Sequence, residues 1–240
     1  MLDEPFAQWF NGKSFTTDFA SRHFGTWAAI FAPIKEQPLS ILEIGSWEGR
    51  SAIFFLEFFA HSRLTCIDTF EGGREHIGDP AWSQSLDGIE QRFDLNLSNY
   101  ETRVEKVKMR SLPGLDKLAE SGRLFDLIYI DGSHQRDDVL MDSIMSWRVL
   151  AHGGHIVWDD YLWEMDHPSQ DTPKQAIDTF LNLNRGGFTL VHSGSQIIIR
   201  RLPSSGPWDG NTTLRPPRTL RNLIKFLRGQ PIKFTPHPDS

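Results

Sequence analysis

From residue 40 onward, short and almost wholly apolar runs alternate with stretches whose apolar residues recur at helical spacing. Ser40–Ile44, Arg63–Ile67, Arg103–Met109, Phe125–Ile130 and His155–Trp158 read as strands. Helices are predicted over Arg50–Ala60, Ser85–Leu97, Leu115–Ser121 and Asp137–Leu150, the last with Leu140, Ile144 and Trp147 on one face. Uninterrupted apolar strands separated by helices predict a parallel sheet covered on both faces. Thr172 as N-cap and Pro173 at the first helical position open a further helix to about Leu183. The runs Phe188–His192 and Gln196–Arg201 are separated only by Ser-Gly-Ser, too short for a helical crossover, so they must pair antiparallel. The pattern is therefore a mostly parallel seven-stranded α/β sheet with the last strand reversed. Upstream, Phe19, Phe24, Trp27, Ile30 and Phe31 predict a helix over Thr17–Ile34, ending near Pro33 and covering the sheet or a ligand.

Composition narrows the class. A chain of 240 residues, 39% hydrophobic with eight tryptophans, can bury one sizeable core and is not disordered. The expected division is a catalytic-size domain over residues 1–201, with 1–38 as an N-terminal helical cover, and a linker and tail over 202–240. Residues 202–214 are rich in Pro, Gly and Ser, and Leu220, Leu223, Ile224 and Leu227 predict a short amphipathic helix ending at Gly229. Net charge is −6, but residues 200–240 hold eight Lys/Arg against Asp209 and Asp239, or +6, which leaves −12 on residues 1–199. Such a tail suits docking on its own domain, contact in a homo-oligomer, or an anionic membrane surface. The lone Cys66 forms no internal disulfide and fits a reducing compartment. With no secretory leader and no membrane-spanning run, a cytoplasmic location is expected.

The chemistry begins at Ile41-Leu-Glu-Ile-Gly-Ser-Trp-Glu-Gly-Arg-Ser51, a strand that passes through an acid into a turn with Gly45 and Gly49, then a helix. An open α/β sheet binds ligands beyond the carboxyl ends of its strands, where glycines let a ligand approach the backbone. The dinucleotide fingerprint places its first two glycines two residues apart, and here they are four apart. An acid just before the turn also repels a pyrophosphate, whereas it suits a cofactor with an amino group and a sulfonium. Spacing and charge thus favour S-adenosylmethionine over NAD. Asp68 closes the next strand about 20 residues on, where an acid is expected on ribose hydroxyls. The residues expected around the cofactor are Glu43, Gly45, Ser46, Gly49, Arg50, Ser51, Asp68, Thr69, Phe70, Ser111 and Asp131. Thr69 and Phe70 would line the adenine; Ser111 either reaches its edge or caps a helix.

Four segments together, Ile41–Ser51, Ile67-Asp-Thr-Phe-Glu-Gly-Gly73, Ile128-Tyr-Ile-Asp-Gly-Ser-His134 and Val157-Trp-Asp-Asp-Tyr-Leu-Trp163, resemble the class I S-adenosylmethionine-dependent methyltransferases. More narrowly they resemble the branch with macrolide-sugar O-methyltransferases and cephalosporin-biosynthesis relatives, over residues 40–201. That resemblance implies the Rossmann-like class I fold. Asp131 ends one strand and Asp159-Asp160 end its expected neighbour, so three carboxylates converge, and crowded like charges call for a hard cation. In the metal-dependent O-methyltransferases that this chain resembles, acids at these three positions hold magnesium. His134 lies three residues after Asp131, where the related sugar enzymes carry the proposed base; imidazole suits proton acceptance near neutral pH. Asp131 and His134 are thus the expected catalytic pair, and Asp137 and Asp138 complement a helix dipole.

Two loops, Phe70–Trp82 and Tyr161–Asp171, with Glu71, Arg74, His76, Trp82, Trp163, Glu164 and His167 in them, either choose the acceptor or are surface loops anchored by tryptophan. The expected substrate is a small hydroxyl-bearing metabolite or a saccharide. Two rival readings remain open: a nucleic-acid methyltransferase using the basic tail, which the acidic body and the lack of an Asn/Asp-Pro-Pro-aromatic motif oppose, and a non-catalytic cofactor-binding protein. An NAD oxidoreductase lacks its glycine spacing.

Overall fold

The structure, a computed structural model, describes residues 6–73, 76, 82–163 and 172–203. Seven strands, β1 (Ser40–Ile44), β2 (Arg63–Asp68), β3 (Val104–Lys108), β4 (Phe125–Ile130), β5 (Leu150–Trp158), β6 (Phe188–Ser193) and β7 (Ile197–Arg201), form one sheet in the order β3-β2-β1-β4-β5-β7-β6. The first five are parallel; β7 lies between β5 and β6 and runs antiparallel to both. The expected architecture, including the reversed last strand, is borne out.

Helices α1 (Phe24–Phe31), α2 (Arg50–Phe58), α3 (Ser83–Leu86) and α4 (Ile89–Leu97) belong to one side, and α5 (Ser111–Glu120), α6 (Arg136–Val149) and α7 (Pro173–Leu183) to the other. Alternation along the strands separates two cores. Ile41, Leu64, Leu127, Tyr129 and Val157 pack with Trp27, Phe54, Phe55 and Phe93. Leu42, Ile44, Ile128, Ile130, Ile156 and Trp158 pack with Leu115, Val139, Met145 and Phe180.

Several local expectations change. The segment 13–20 is not helical: helix begins as a 3₁₀ turn at Ser21–His23, continues as α1, and ends in a second 3₁₀ turn at Ala32–Ile34. Thr16 and Asp18 instead turn their polar groups toward other elements, and the segment becomes a strap across the sheet's carboxyl edge. The single helix expected over 85–97 is broken into α3 and α4 at Gly88, which has φ 76°. Helix α5 starts at Ser111 rather than Leu115. Thr172 takes the N-cap backbone geometry without a side-chain cap bond, while Pro173 opens α7 as expected. Helix α6 turns the face of Val139, Asp142, Ser143, Met145, Ser146 and Val149 inward; Ile144 of the predicted apolar stripe is 40% exposed. The tail helix expected around Leu220–Leu227 and the loop residues Arg74, Glu164 and His167 lie outside the described residues.

Candidate active site

Every candidate sits where parallel strands end. Backbone ladder bonds run one residue past the strands, from Asp131 N to Ile44 O at 2.8 Å and from Asp159 N to Ile130 O at 3.0 Å. The ends of β1, β4 and β5 are thereby held level.

The turn after β1 needs its glycines. Gly45 has φ 83°, and a Cβ there would overlap the carbonyl oxygen of Asp131; Gly49, also at φ 83°, is the N-cap of α2. Asp68 lies against this turn: its Oδ2 accepts from Ser46 N at 2.6 Å and Trp47 N at 2.8 Å, and its Oδ1 from Phe70 N at 2.6 Å. Burial raises its pKa against the pull of these backbone bonds. Glu43 is fully buried behind the turn, accepting from Ser51 Oγ at 2.5 Å and Cys66 Sγ at 3.4 Å. Burial pushes its carboxyl up to about 7. Glu43 therefore ties the turn to α2 and β2 from beneath, and Ser46 is buried beside it in sequence.

Thr69 Oγ1 accepts from Glu71 N at 3.3 Å, whereas the Phe70 ring turns into the core against Phe93, 4.9 Å between centroids. Arg50 bonds Asp18 Oδ2 at 2.8 Å and Ser21 Oγ at 3.1 Å. The strap continues this pattern. Thr16 donates to Glu48 from its N at 2.7 Å and its Oγ1 at 2.6 Å, and Trp47 Nε1 donates to Thr17 Oγ1 at 3.0 Å. Farther along, Arg22 lies 3.5 Å from Asp160 and His23 lies 3.5 Å from Asp159.

The acids after β4 and β5 are brought together, but not as three equivalent ligands. Asp131, His134 and Asp160 each offer a ligand atom within 4.8 Å of the others, and His134 Nε2 is 2.9 Å from Asp160 Oδ2. The Asp159 carboxylate faces the other way: its Oδ2 is 2.5 Å from the Tyr129 hydroxyl and its Oδ1 accepts from Asp160 N at 2.9 Å. Tyr129 also lies 2.8 Å from Asp131 Oδ2. A phenol has one proton, so it satisfies one of these two acids at a time. Burial, then the charges of Asp159 and Asp160, raise Asp131 well above the usual carboxylate range. Burial lowers His23 against the opposing pull of the Asp159 charge.

Among the described residues, three non-glycine residues with positive φ, Trp47 (48°), Phe70 (58°) and Asp160 (51°), follow β1, β2 and β5 respectively, so backbone strain gathers at this edge. Trp163 stacks on His134 with centroids 4.5 Å apart. Beside them a cavity of about 310 Å³ is lined by Arg22, Asp160, Leu162, Trp163 and Ser195.

A family described as "Methyltransferase domain" matches residues 42–161, half of the chain and all of the turn and acid segments. The chain belongs to this methyltransferase family. The resemblance to class I methyltransferases is borne out on that match and on the fold. An uncharacterized protein of Acanthamoeba polyphaga mimivirus is 28% identical over 145 residues, 58% of this chain and 59% of the viral protein. The chain thus spans about three fifths of that relative's length. Among solved structures, MycE methyltransferase from the mycinamycin biosynthetic pathway, in complex with Mg, SAH and mycinamycin VI, superposes with a TM-score of 0.59 at 16% identity, over 86% of this chain and 56% of that one. The O-methyltransferase TomG from Streptomyces achromogenes, in complex with SAM, gives 0.56 at 17% identity, over 84% and 90%. At such identities the likeness shows the fold.

Within this methyltransferase the strap residues Arg22 and His23, and Tyr129 inside the domain, escaped the sequence reading. Tyr129 reads as one more apolar strand residue, and nothing local in Arg22-His23 tells that the strap delivers them to β5.

Proposed function

We propose that the chain is an S-adenosylmethionine-dependent O-methyltransferase that uses a divalent cation, magnesium by ligand type, to methylate a hydroxyl of a small metabolite or saccharide. The observation that carries this reading is the meeting of Asp131, His134 and Asp160 within 4.8 Å, at strand ends beside a glycine turn with no room for a side chain. Carboxylate oxygens are the ligands a hard cation prefers, and the Asp131 acid, raised by burial and then by the charges of Asp159 and Asp160, gains most from a positive charge. When bound, the cofactor supplies an electrophilic methyl group, and the cation lowers the pKa of a ligated hydroxyl.

The chain's own residues do the rest. Asp68, held at the tip of β2 by the backbone N–H groups of Ser46, Trp47 and Phe70, is placed to meet a ribose hydroxyl. Gly45, Ser46, Gly49, Arg50 and Ser51 shape the turn, with Glu43 bracing it from beneath. Asp131 and Asp160 would hold the cation, while Asp159, turned toward the Tyr129 hydroxyl that also meets Asp131, would support them from behind. His134 takes the acceptor proton, its ring fixed between Asp160 and Trp163. The cavity of about 310 Å³ next to them has room for a sugar or arene ring, which Trp163 can stack.

Calorimetry with S-adenosylmethionine, followed by turnover on a panel of saccharide and phenolic hydroxyls with and without EDTA, tests the reading. Saturable cofactor binding and EDTA-sensitive methylation are expected, with Asp160→Asn slowing turnover about tenfold or more at fixed magnesium. No cofactor binding at roughly millimolar concentration overturns the donor, and undiminished turnover in EDTA overturns the metal.

A further inference from the structure

Arg22 is a cationic side chain that neither the cofactor nor the metal needs. It stands on the strap and lines the cavity of about 310 Å³ together with Asp160, Leu162, Trp163 and Ser195, with its side chain 60% exposed. Its Nε donates to Nε2 of the buried His23 at 2.8 Å, which anchors the guanidinium at one corner. Nη2 lies 3.5 Å from Asp160 Oδ1, its only acidic contact among the described residues. A guanidinium carries five N–H donors in a planar fork, and the two end nitrogens hold four of them. Those four make no hydrogen bond to a described residue.

The frame around this fork is held in place. His23 stacks on Trp27 with centroids 5.8 Å apart, and Trp27 Nε1 donates to Oε1 of the buried Gln196 at 2.7 Å. The end of the strap is thereby fastened to the turn between β6 and β7. Tyr161 N donates to Ser195 O at 2.9 Å and Trp163 N to Asp160 O at 2.9 Å, which holds the segment after β5 against the same turn. Asp160 also belongs to the cation's ligands, so in a loaded site its charge is drawn to the metal and the fork is left facing the cavity. One guanidinium beside the apolar surfaces of Leu162 and Trp163 matches one negative charge. A carboxylate accepts two parallel N–H bonds from the end of such a fork. A phosphate brings nearly two charges, which one guanidinium next to an acid cannot balance.

We propose that Arg22 binds a carboxylate on the acceptor, so that the substrates are small hydroxy acids of uronate or hydroxyaryl type. The reacting hydroxyl meets Asp131, His134 and Asp160 while the strap holds the acid group across the cavity. This rests on the acceptor reading above and names the group that selects among hydroxyl compounds.

Calorimetry of the full chain, with magnesium and S-adenosylhomocysteine present, compares D-glucuronate with D-glucuronamide and protocatechuate with its amide. In at least one pair the acid should bind roughly 10- to 100-fold tighter than the amide of the same shape. Arg22→Gln should bring the acid down to its amide, and leave the amide's affinity, the affinity for S-adenosylhomocysteine and the melting temperature at wild-type values. Arg22→Lys, which keeps the charge without the fork, should retain part of the preference. Equal binding of acid and amide in both pairs, or no binding of either acid at about 10 mM, overturns the proposal. So does an undiminished preference in Arg22→Gln, or a parallel loss of acid and amide, which makes Arg22 a structural residue of the strap. Tighter binding of D-glucose 6-phosphate than of either acid overturns the carboxylate. Failure of S-adenosylhomocysteine to bind overturns the cofactor reading instead, and the comparison of acid with amide then decides the role of Arg22 with magnesium alone.

Discussion

Glu43 gives the sharpest quantitative handle on this site. It is fully buried, with two partners, and its carboxyl is raised from 4.5 to about 7 with burial as the largest cause. In the unfolded chain the group releases its proton near its ordinary value; in the native chain it keeps the proton until about 7. Between those two pH values the native state binds more protons than the unfolded state, so stability falls as pH rises. The slope is about 1.4 kcal/mol per pH unit, and over roughly two and a half units the loss from this one group is about 3 kcal/mol. Glu43→Gln keeps the shape, and its amide oxygen still accepts from Ser51 Oγ, but it has no proton to lose. The variant should match wild type near pH 4.5 and exceed it by about 3 kcal/mol at pH 8. Urea unfolding of both proteins at half-unit steps from pH 4.5 to 8, taken as the difference between them, cancels the other titrating groups, Asp131 and Asp142 among them. A difference that stays flat across this range would refute the reasoning, and would mean that Glu43 is ionised in the folded protein.

Two further outcomes follow from the turn and the strap. Gly45→Ala places a Cβ on the Asp131 carbonyl at φ 83°, so it should cost about 3 kcal/mol or more and pull the ends of β1 and β4 apart; chemical denaturation and cofactor titration check this, and a wild-type midpoint would contradict it. Glu48→Ala removes a buried carboxylate that bonds Thr16 twice and Arg92 once, and leaves the guanidinium without its counter-charge. A loss of about 3 kcal/mol is expected, with faster proteolytic nicking in residues 13–20; unchanged cleavage would show that the strap is held elsewhere.

The parts of the site that were legible in the sequence are those set by short-range pattern. The turn at Gly45 and Gly49 announces itself because a strand, an acid and two glycines are adjacent in the chain. The acids ending β2, β4 and β5 are visible because strand ends are. What could not be read depends on where neighbouring residues point. Asp159 and Asp160 are consecutive and carry the same side chain, yet the positive φ of Asp160 sends them opposite ways, one toward Tyr129 and the other toward His134. Helix α6 was misread for a different reason. Its sheet-facing side uses small and polar residues, with Ser143 Oγ accepting from Trp158 Nε1 at 2.8 Å and donating to Val139 O at 2.6 Å. A search for apolar periodicity selects Leu140, Ile144 and Trp147 instead. The strap failed as a helix because Thr16, Thr17 and Asp18 find their partners in Glu48, Trp47 and Arg50, contacts more than twenty residues away in sequence.

The positive-φ residue Asp160 has a consequence for how this protein can be improved. A left-handed backbone carrying a side chain costs about 1 to 2 kcal/mol that glycine would not incur. A library selected only for heat resistance should therefore drift toward glycine at this position, while one selected for methyl transfer should hold the acid. Divergence of the two selections at a single site would mark where this fold has given up ruggedness for reactivity.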